Sequence, residues 1–537
     1  MRNGLSKDLI SRILGGVPKY TIAQLEKKFP PRNLPDGAMI TRFAPSPTGY
    51  FHTGNLYPVI VNRKLAQQSG GIFILRIEDT DTKREVAGSV DILVASMDKF
   101  GIKIDEGMVA DNKGVGEYGP YTQSYRKDIY HSVAAELLAD GRAYPCFLSP
   151  EEMEEIRKQQ SSDGFSTGIY GGWARDRDLT ESEIIVRMNA GGVPSIRLYS
   201  TGDKAQKIFC KDVARGSIAF PQNDEDIVIV KSNDGLPTYH FAHLCDDHFM
   251  RTTHVVRAEE WLPSLPLHIQ LFDMMGWIPP SYTHHTTIDI LDSDTGNRRK
   301  LSKRKDRVAA IANLWADGWS PEPVLEYVFN LIVSGYEEAK MKNSALTIWD
   351  FQVNIKKLPL SGALFDMKKL EWWAKEFIAT LSVDELIRRV TNWAKEYSPE
   401  WANRIDGQGD YLRSILDIER DDPKRIRKDF ITWKQTLEET SYFWDDLFGS
   451  AIGNQQSAIN KNILSEFLNS FDIKDSKDLW WNKIVEIAAR LGIKNGDAAM
   501  CLRVTLTGRT NTPDLYSIIQ VMGEHRVKER VKSGIGI

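Results

Sequence analysis

Between Met39 and Ile77 the chain changes its apolar period twice, and no other stretch constrains its fold as much. Met39 to Phe43 reads as a strand, followed by a turn rich in Pro and Gly. From Gly54 to Gln68 the apolar residues Leu56, Val59, Ile60 and Leu65 recur at helical spacing, and Gly70-Gly71 stops the helix. Ile72-Phe73-Ile74-Leu75-Arg76-Ile77 is a second strand. Strand, turn, helix and strand make a βαβ unit, whose two strands run parallel. Ligands of such sheets bind beyond the carboxyl ends of the strands. The turn Pro45-Ser46-Pro47-Thr48-Gly49 lies there, as does Glu78-Asp79-Thr80-Asp81 at the end of the second strand.

A chain of 537 residues is too long for one core, so several domains are expected. Residues 1–38 read as a helical extension ending in the turn cluster Pro30-Pro31 and Pro35-Asp36-Gly37. Residues 120–235 read as an insertion. Ile227 to Val230 and His254 to Arg257 then read as strands with which the sheet resumes. Beyond residue 310 helical periodicity dominates, as in Asp384 to Val390. Asp406-Gly407-Gln408-Gly409 and residues 449–456 read as breaks between helical bundles.

The net charge of -4 excludes a globally basic nucleic-acid binder, so any such contact uses local patches. The four cysteines, Cys146, Cys210, Cys245 and Cys501, form no CxxC pair. That argues against a disulfide scaffold and a sulfur-rich zinc site, and points to reduced cytosol. No apolar run reaches the 18 or so residues of a membrane span. Lys7, Asp8 and Arg12 interrupt any signal-peptide core.

Two short motifs carry the chemistry. His52-Thr53-Gly54-Asn55 opens a helix, whose free N–H groups and positive dipole end suit a phosphate. Gly54 admits a ligand close to the backbone, and His52 can donate to a phosphate oxygen that gains charge. The second motif, Lys300-Leu301-Ser302-Lys303-Arg304, lies in a stretch with seven basic residues in ten, Arg298 to Arg307. Its lysines can close over a triphosphate. Each motif alone has a plainer alternative, a surface histidine or a solvated basic face. Together they describe a site that holds ATP from both sides.

In this order the motifs resemble the signatures of class I aminoacyl-tRNA synthetases. Arg42 to Gly49, Arg76 to Asp81, Pro237 to His240 and Val256 to Trp261 are similar to glutamyl-tRNA synthetases. Leu506 to Thr510 resembles the bacterial branch. The resemblance covers residues 39 to 532. It implies a Rossmann-like α/β catalytic domain with an α/β insertion and an all-α C-terminal anticodon-binding region. The catalytic halves would span 39–119 and 236–300, with an acceptor-stem-binding insertion at 120–235. A stem-contact domain would span 301–385, and the anticodon-binding domain 386–537.

The resemblance also implies the reaction. The α-carboxylate of L-glutamate attacks the α-phosphorus of ATP, and a hydroxyl of the terminal adenosine of tRNA(Glu) then takes the glutamyl group. A variant that also charges tRNA(Gln) stays open, as does an inactive tRNA-binding paralogue. Magnesium accompanies the ATP, and the chain is expected to be a cytoplasmic monomer. His52, Lys300 and Lys303 would be catalytic, while Gly54, Asn55, Glu260, Leu301 and Ser302 face ATP. Arg42, Ser46, Glu78, Tyr239, His243 and Arg257 would surround glutamate. An anionic side chain calls for a guanidinium, which Arg42 or Arg257 supplies. The alternative for Arg257 is a salt bridge to Glu259 or Glu260, and for His243 a structural role. Relatives that bind zinc do so in the insertion. Here Cys146 and Tyr170 stand at similar positions, but Leu148 and Ala174 replace the other ligands, so no zinc is expected. Asp246-Asp247-His248 is read as scaffold. Arg425, Arg427, Lys428, Arg503 and Arg509 are candidates for tRNA contact. Trp433 and Trp444 are read as core.

Overall fold

The computed structural model describes residues 4–48, 51–81, 86–302, 305–421, 426–448 and 459–536. The chain divides into two units: Met1–Ile311 with Val328–Phe365, and Ala312–Tyr327 with Asp366–Ile537.

In the first unit two short helices come first, α1 (Lys7–Ile13) and α2 (Ile22–Lys28). A capping box between Thr21 and Gln24 satisfies the first N–H groups of α2. This extension is tied down. Arg32 forks onto Glu106 at 2.6 and 2.8 Å and lies over the Tyr118 ring, while Glu26 takes Arg251 and His248 at 2.6 Å each.

The βαβ unit is present as read. β1 (Ile40–Phe43) and β2 (Ile72–Leu75) pair in parallel across α3 (Thr53–Ser69), with Ile40 opposite Ile72. Leu56, Val59, Ile60, Val61 and Leu65 of α3 are all fully buried. Asn62 and Lys64 are buried beside them, so α3 is covered on more than its apolar face. Gly70 takes a left-handed φ of 68° and ends the helix. After α4 (Ser89–Lys99), β3 (Glu106–Ala110) pairs in parallel with β2, and β4 (Lys113–Val115) closes the sheet antiparallel.

The next stretch contains α5 (Lys127–Ala139), β5 (Ala143–Cys146), α6 (Pro150–Ser162), α7 (Glu181–Asn189) and β6 (Ser195–Leu198). It ends with β7 (Lys207–Asp212), β8 (Gly216–Pro221) and β9 (Val228–Val230). Here the structure corrects the sequence reading. β9 does not resume the parallel sheet. It pairs antiparallel with β6, Ile196 opposite Val230, in a sheet ordered β5-β6-β9. Conversely β7, inside the expected insertion, joins β11 (Ser281–His285) in parallel. A short apolar run shows that a strand forms, but its partner depends on which sheet edge lies within reach.

After α8 (Tyr239–Phe249), β10 (His254–Ala258) carries the expected return toward the first sheet. Thr253 N–H donates to Ile40 O at 2.9 Å, and Asn62 of α3 donates to Val256 O. β10 heads a sheet ordered β10-β11-β7-β8, and α9 (Leu265–Met275) lies between β10 and β11 in sequence. A small sheet of β12 (Ile288–Leu291), β13 (Arg298–Lys300) and β14 (Ala363–Leu364) carries the second motif.

The second unit is helical. In Val383–Tyr397 the buried residues Leu386, Val390, Trp393 and Ala394 mark one face, and Ser382 caps the first turn. Trp433 and Trp444 sit in the same core, as expected. The residues 406–409 break a helix but not the bundle, because Ile405 and Leu412 on either side share that core. The expected break at 449–456 lies outside the described residues. Among the described residues no helix is long and apolar enough to cross a membrane.

Candidate functional site

A cavity of about 620 Å³ opens beyond the carboxyl ends of β1, β2 and β10. Arg42, Ser46, Glu78, Tyr239 and Arg257 line it. His52, Gly54, Asn55, Glu260, Lys300 and Leu301 line it as well. Residues from five sequence segments thus meet where strand ends and helix starts converge. Gly54 has a local reason. A Cβ there would meet the His52 ring at 3.0 Å, so the small residue lets the imidazole lie across the first turn of α3.

Under the cavity floor is a buried ionic network. Arg76 is fully buried and reaches Asp247 at 2.7 Å, Glu78 at 3.0 Å and Asp246 at 3.7 Å. Arg42 shares Asp247 at 3.3 Å. Asp246 also takes Arg126 at 2.5 Å and hydrogen bonds from Tyr130 and Gln123. Burial alone would raise the Asp247 carboxyl, but Arg42 and Arg76 outweigh it and hold the group well below the ordinary range. For Glu78 burial wins, and its carboxyl is pushed up despite Arg76 and Arg42. The pair Asp246-Asp247 is therefore scaffold, saturated by guanidiniums.

Arg257 lives in a different environment. It is 6% exposed. Its Nε donates to His284 Nε2 at 2.9 Å, one Nη2 bond goes to His268 Nδ1 at 3.0 Å, and the Tyr282 ring lies 5.0 Å away. Its Nη1 has no hydrogen-bond partner. The salt-bridge alternative fails, since Glu259 pairs with Arg215 and Glu260 with Lys300. Tyr239 stacks on Trp261 at 4.1 Å and forms an aromatic wall beside the guanidinium.

Lys300 reaches Glu260 at 3.1 Å, with the two side chains 61% and 59% exposed. An exposed pair of this kind is worth at most about 1 kcal/mol, so a phosphate can displace it. The second motif begins on β13 rather than in a free loop, and Arg299 is held there by Asp292 and Asp306. Arg298 likewise pairs with Asp289, so part of that basic charge is neutralised locally.

Several sequence expectations need correction. His243 does not line the cavity. Its Nδ1 lies 2.8 Å from Asp247, its Nε2 is 2.9 Å from the Tyr282 hydroxyl, and burial pushes its pKa down to about 3. It is a neutral strut behind the wall. Ser302 does not line the cavity either, and its backbone N–H donates to Asp306. Lys303 and Arg425 lie outside the described residues. Arg427 is buried, paired with Asp429 and stacked over Phe430. Arg503 donates to the carbonyls of Thr512 and Pro513, and Arg509 pairs with Glu439. These three guanidiniums brace the helical unit, and Lys428 pairs with Glu376 on its surface. A list of cations cannot show which ones are already spoken for. In the inserted region Leu148 and Ala174 pack with Ile156, Ile169 and Trp173, an apolar cluster unsuited to a metal.

The sequence reading missed Trp261, His268, Tyr282, His284 and Asp212. His284 stands directly opposite Arg257 in the β10–β11 register, a relation that only strand pairing reveals. The pair His284-His285 at a strand end was the one available signal.

Residues 38–372 match the family model described as tRNA synthetases class I (E and Q), catalytic domain, and residues 385–535 match one described as an anticodon binding domain. The chain is 40% identical over 534 residues to a glutamate–tRNA ligase of Clostridium perfringens, covering 95% of this chain and 96% of that one. It is 42% identical over 523 residues to one from Acetivibrio thermocellus, covering 94% and 95%. Its fold is similar to the crystal structure of a glutamate tRNA ligase from Elizabethkingia meningosepticum in complex with its amino acid. There the TM-score is 0.73 and the identity 26%, covering 93% of this chain and 99% of that one.

Proposed function

Because the chain belongs to the class I tRNA synthetases of the glutamate and glutamine type, we propose that it is a glutamate–tRNA ligase, forming glutamyl-adenylate from ATP and passing the glutamyl group to tRNA(Glu). The observation that supports glutamate most is the contrast between the two cavity arginines. Arg42 shares a carboxylate with Arg76, whereas Arg257 has neutral partners and an unpartnered Nη1. A substrate carboxylate satisfies both that charge and that donor. Glu78 and Tyr239 line the same cavity and serve the α-ammonium, and Ser46 completes this pocket.

At the other side His52, Gly54 and Asn55 offer the start of α3 to the triphosphate, and Lys300 leaves Glu260 for the departing pyrophosphate. Leu301 lines the cavity next to Lys300, and Lys303 of the same motif is assigned the same role from the sequence. Magnesium accompanying the ATP would supply charge neutralisation on the phosphates. The helical region receives the tRNA, and Arg427, Arg503 and Arg509 each also hold a partner within that region.

The test is ATP–pyrophosphate exchange that requires both glutamate and tRNA(Glu). Lys300→Ala should slow it by about 10²-fold, the size of one lost charge stabiliser in a transition state, with the KM for glutamate nearly unchanged. Exchange at the wild-type rate would remove Lys300 from the reaction, and no wild-type exchange with tRNA(Glu) would overturn the ligase reading. Charging tRNA(Glu) and tRNA(Gln) side by side reads whether the second acceptor is also used.

A further inference from the structure

We propose that His284 and His268, with Asp212 behind His284, are positioning residues that hold Arg257 through neutral acceptors and so leave its full charge to an anionic side chain. The inference rests on the reading that glutamate occupies the cavity, and it names what makes that site select an anion.

The hydrogen-bond chain fixes every tautomer. Asp212 Oδ2 accepts from His284 Nδ1 at 2.8 Å and from the His284 backbone N–H at the same distance. A carboxylate only accepts here, so His284 carries its proton on Nδ1 and presents the Nε2 lone pair to Arg257 Nε–H. Arg257 likewise only donates, so His268 Nδ1 is an acceptor and its Nε2–H points to His240 Nδ1 at 2.9 Å. Both imidazoles are buried, and burial lowers their pKa values, His268 well below the ordinary one.

Four carboxylates of this region are committed elsewhere. Asp212 sits behind His284, and Asp247 faces Arg42, Arg76 and His243. Glu259 pairs with Arg215, and Glu78 with Arg76. A carboxylate in the place of His284 would orient Arg257 equally well, but it would supply a fixed counter-charge. An imidazole orients without neutralising. For a site that must prefer a carboxylate to an isosteric amide, this difference decides. The register brings the three residues together from adjacent strands. Arg257 and His284 are paired residues of parallel β10 and β11, and Asp212 arrives on β7 next to them.

The test compares three variants by glutamate KM in pyrophosphate exchange and by glutamate affinity from the fluorescence of Trp261, which stacks on Tyr239 at the cavity wall. His284→Asn keeps a donor toward Asp212 but cannot reach Arg257. His284→Gln places an amide oxygen near the lost Nε2. His284→Glu places a charged oxygen there. The expected result is a KM for glutamate raised about tenfold or more in His284→Asn, as for a lost hydrogen bond to a charged group, with KM for ATP within about twofold. His284→Gln should stay within about threefold of wild type, while His284→Glu should lose at least as much as His284→Asn although its contact is kept. Thermal melts and the ATP KM show that each variant is folded. Unchanged glutamate KM in folded His284→Asn, or a His284→Glu as good as His284→Gln, overturns the proposal. If the wild type binds glutamate but performs no exchange, the ligase reading falls and the same affinities still decide this one. If it binds no glutamate, both fall.

Discussion

Replacing Arg257 with leucine should lower kcat/KM for glutamate in tRNA-dependent pyrophosphate exchange by roughly 10²- to 10³-fold, the effect of losing a buried charge contact worth about 3–4 kcal/mol. The side chain is 6% exposed, and its charge is not compensated by an adjacent carboxylate. Little of the loss should fall on ATP, whose side of the cavity is built from α3 and β13. Arg257→Lys should recover only part of the activity, because an ammonium cannot satisfy His284, His268 and a substrate carboxylate in one plane. Steady-state kinetics with glutamate and ATP varied separately will read both effects. A change of less than about threefold in Arg257→Leu would remove this residue from the amino-acid site.

The largest expected loss of stability is at Asp247. Asp247→Ala leaves Arg42 and Arg76 buried with a carboxylate missing, and breaking a buried pair in this way costs about 3–5 kcal/mol. The contrast is Asp128→Ala, which removes an ion pair to Lys19 whose side chains are more than half exposed, and which should leave the unfolding midpoint nearly unchanged. Denaturant unfolding of the two variants beside wild type measures the difference. The acid dependence has a definite sign. The Asp247 carboxyl is held below its ordinary value in the folded chain, so its contribution is fully present above the unfolded pKa of about 4 and fades as the pH falls below that. Asp247→Ala should therefore lose less stability than wild type on acidification. Equal midpoints for Asp247→Ala and wild type at neutral pH would show that the network is not a structural keystone.

Much of the site was legible because its residues sit at positions that local rules pick out. Arg42 and Arg257 stand near strand ends, His52 caps a helix, and Gly54 opens its first turn. Strand and helix periods are local properties, as is the preference of small residues for such turns, so the βαβ unit and its ligand-facing end could be read before any folding. The helical half was equally plain, down to Trp433 and Trp444 as core.

What failed had a common cause. β9 was assigned to the wrong sheet, the choice between a substrate-facing and a structural His243 was left open, and the internal partners of Arg427, Arg503 and Arg509 could not be read. Each error concerns which group lies beside which, across tens to hundreds of residues. The sequence by itself determined the elements, the order of the motifs and the kinds of charge at the site. Only the tertiary structure decided that Arg42 shares a carboxylate and Arg257 does not. The physical reason is that hydrogen-bonding capacity belongs to a residue type, whereas the effective charge of a buried guanidinium belongs to the neighbours that strand pairing brings against it.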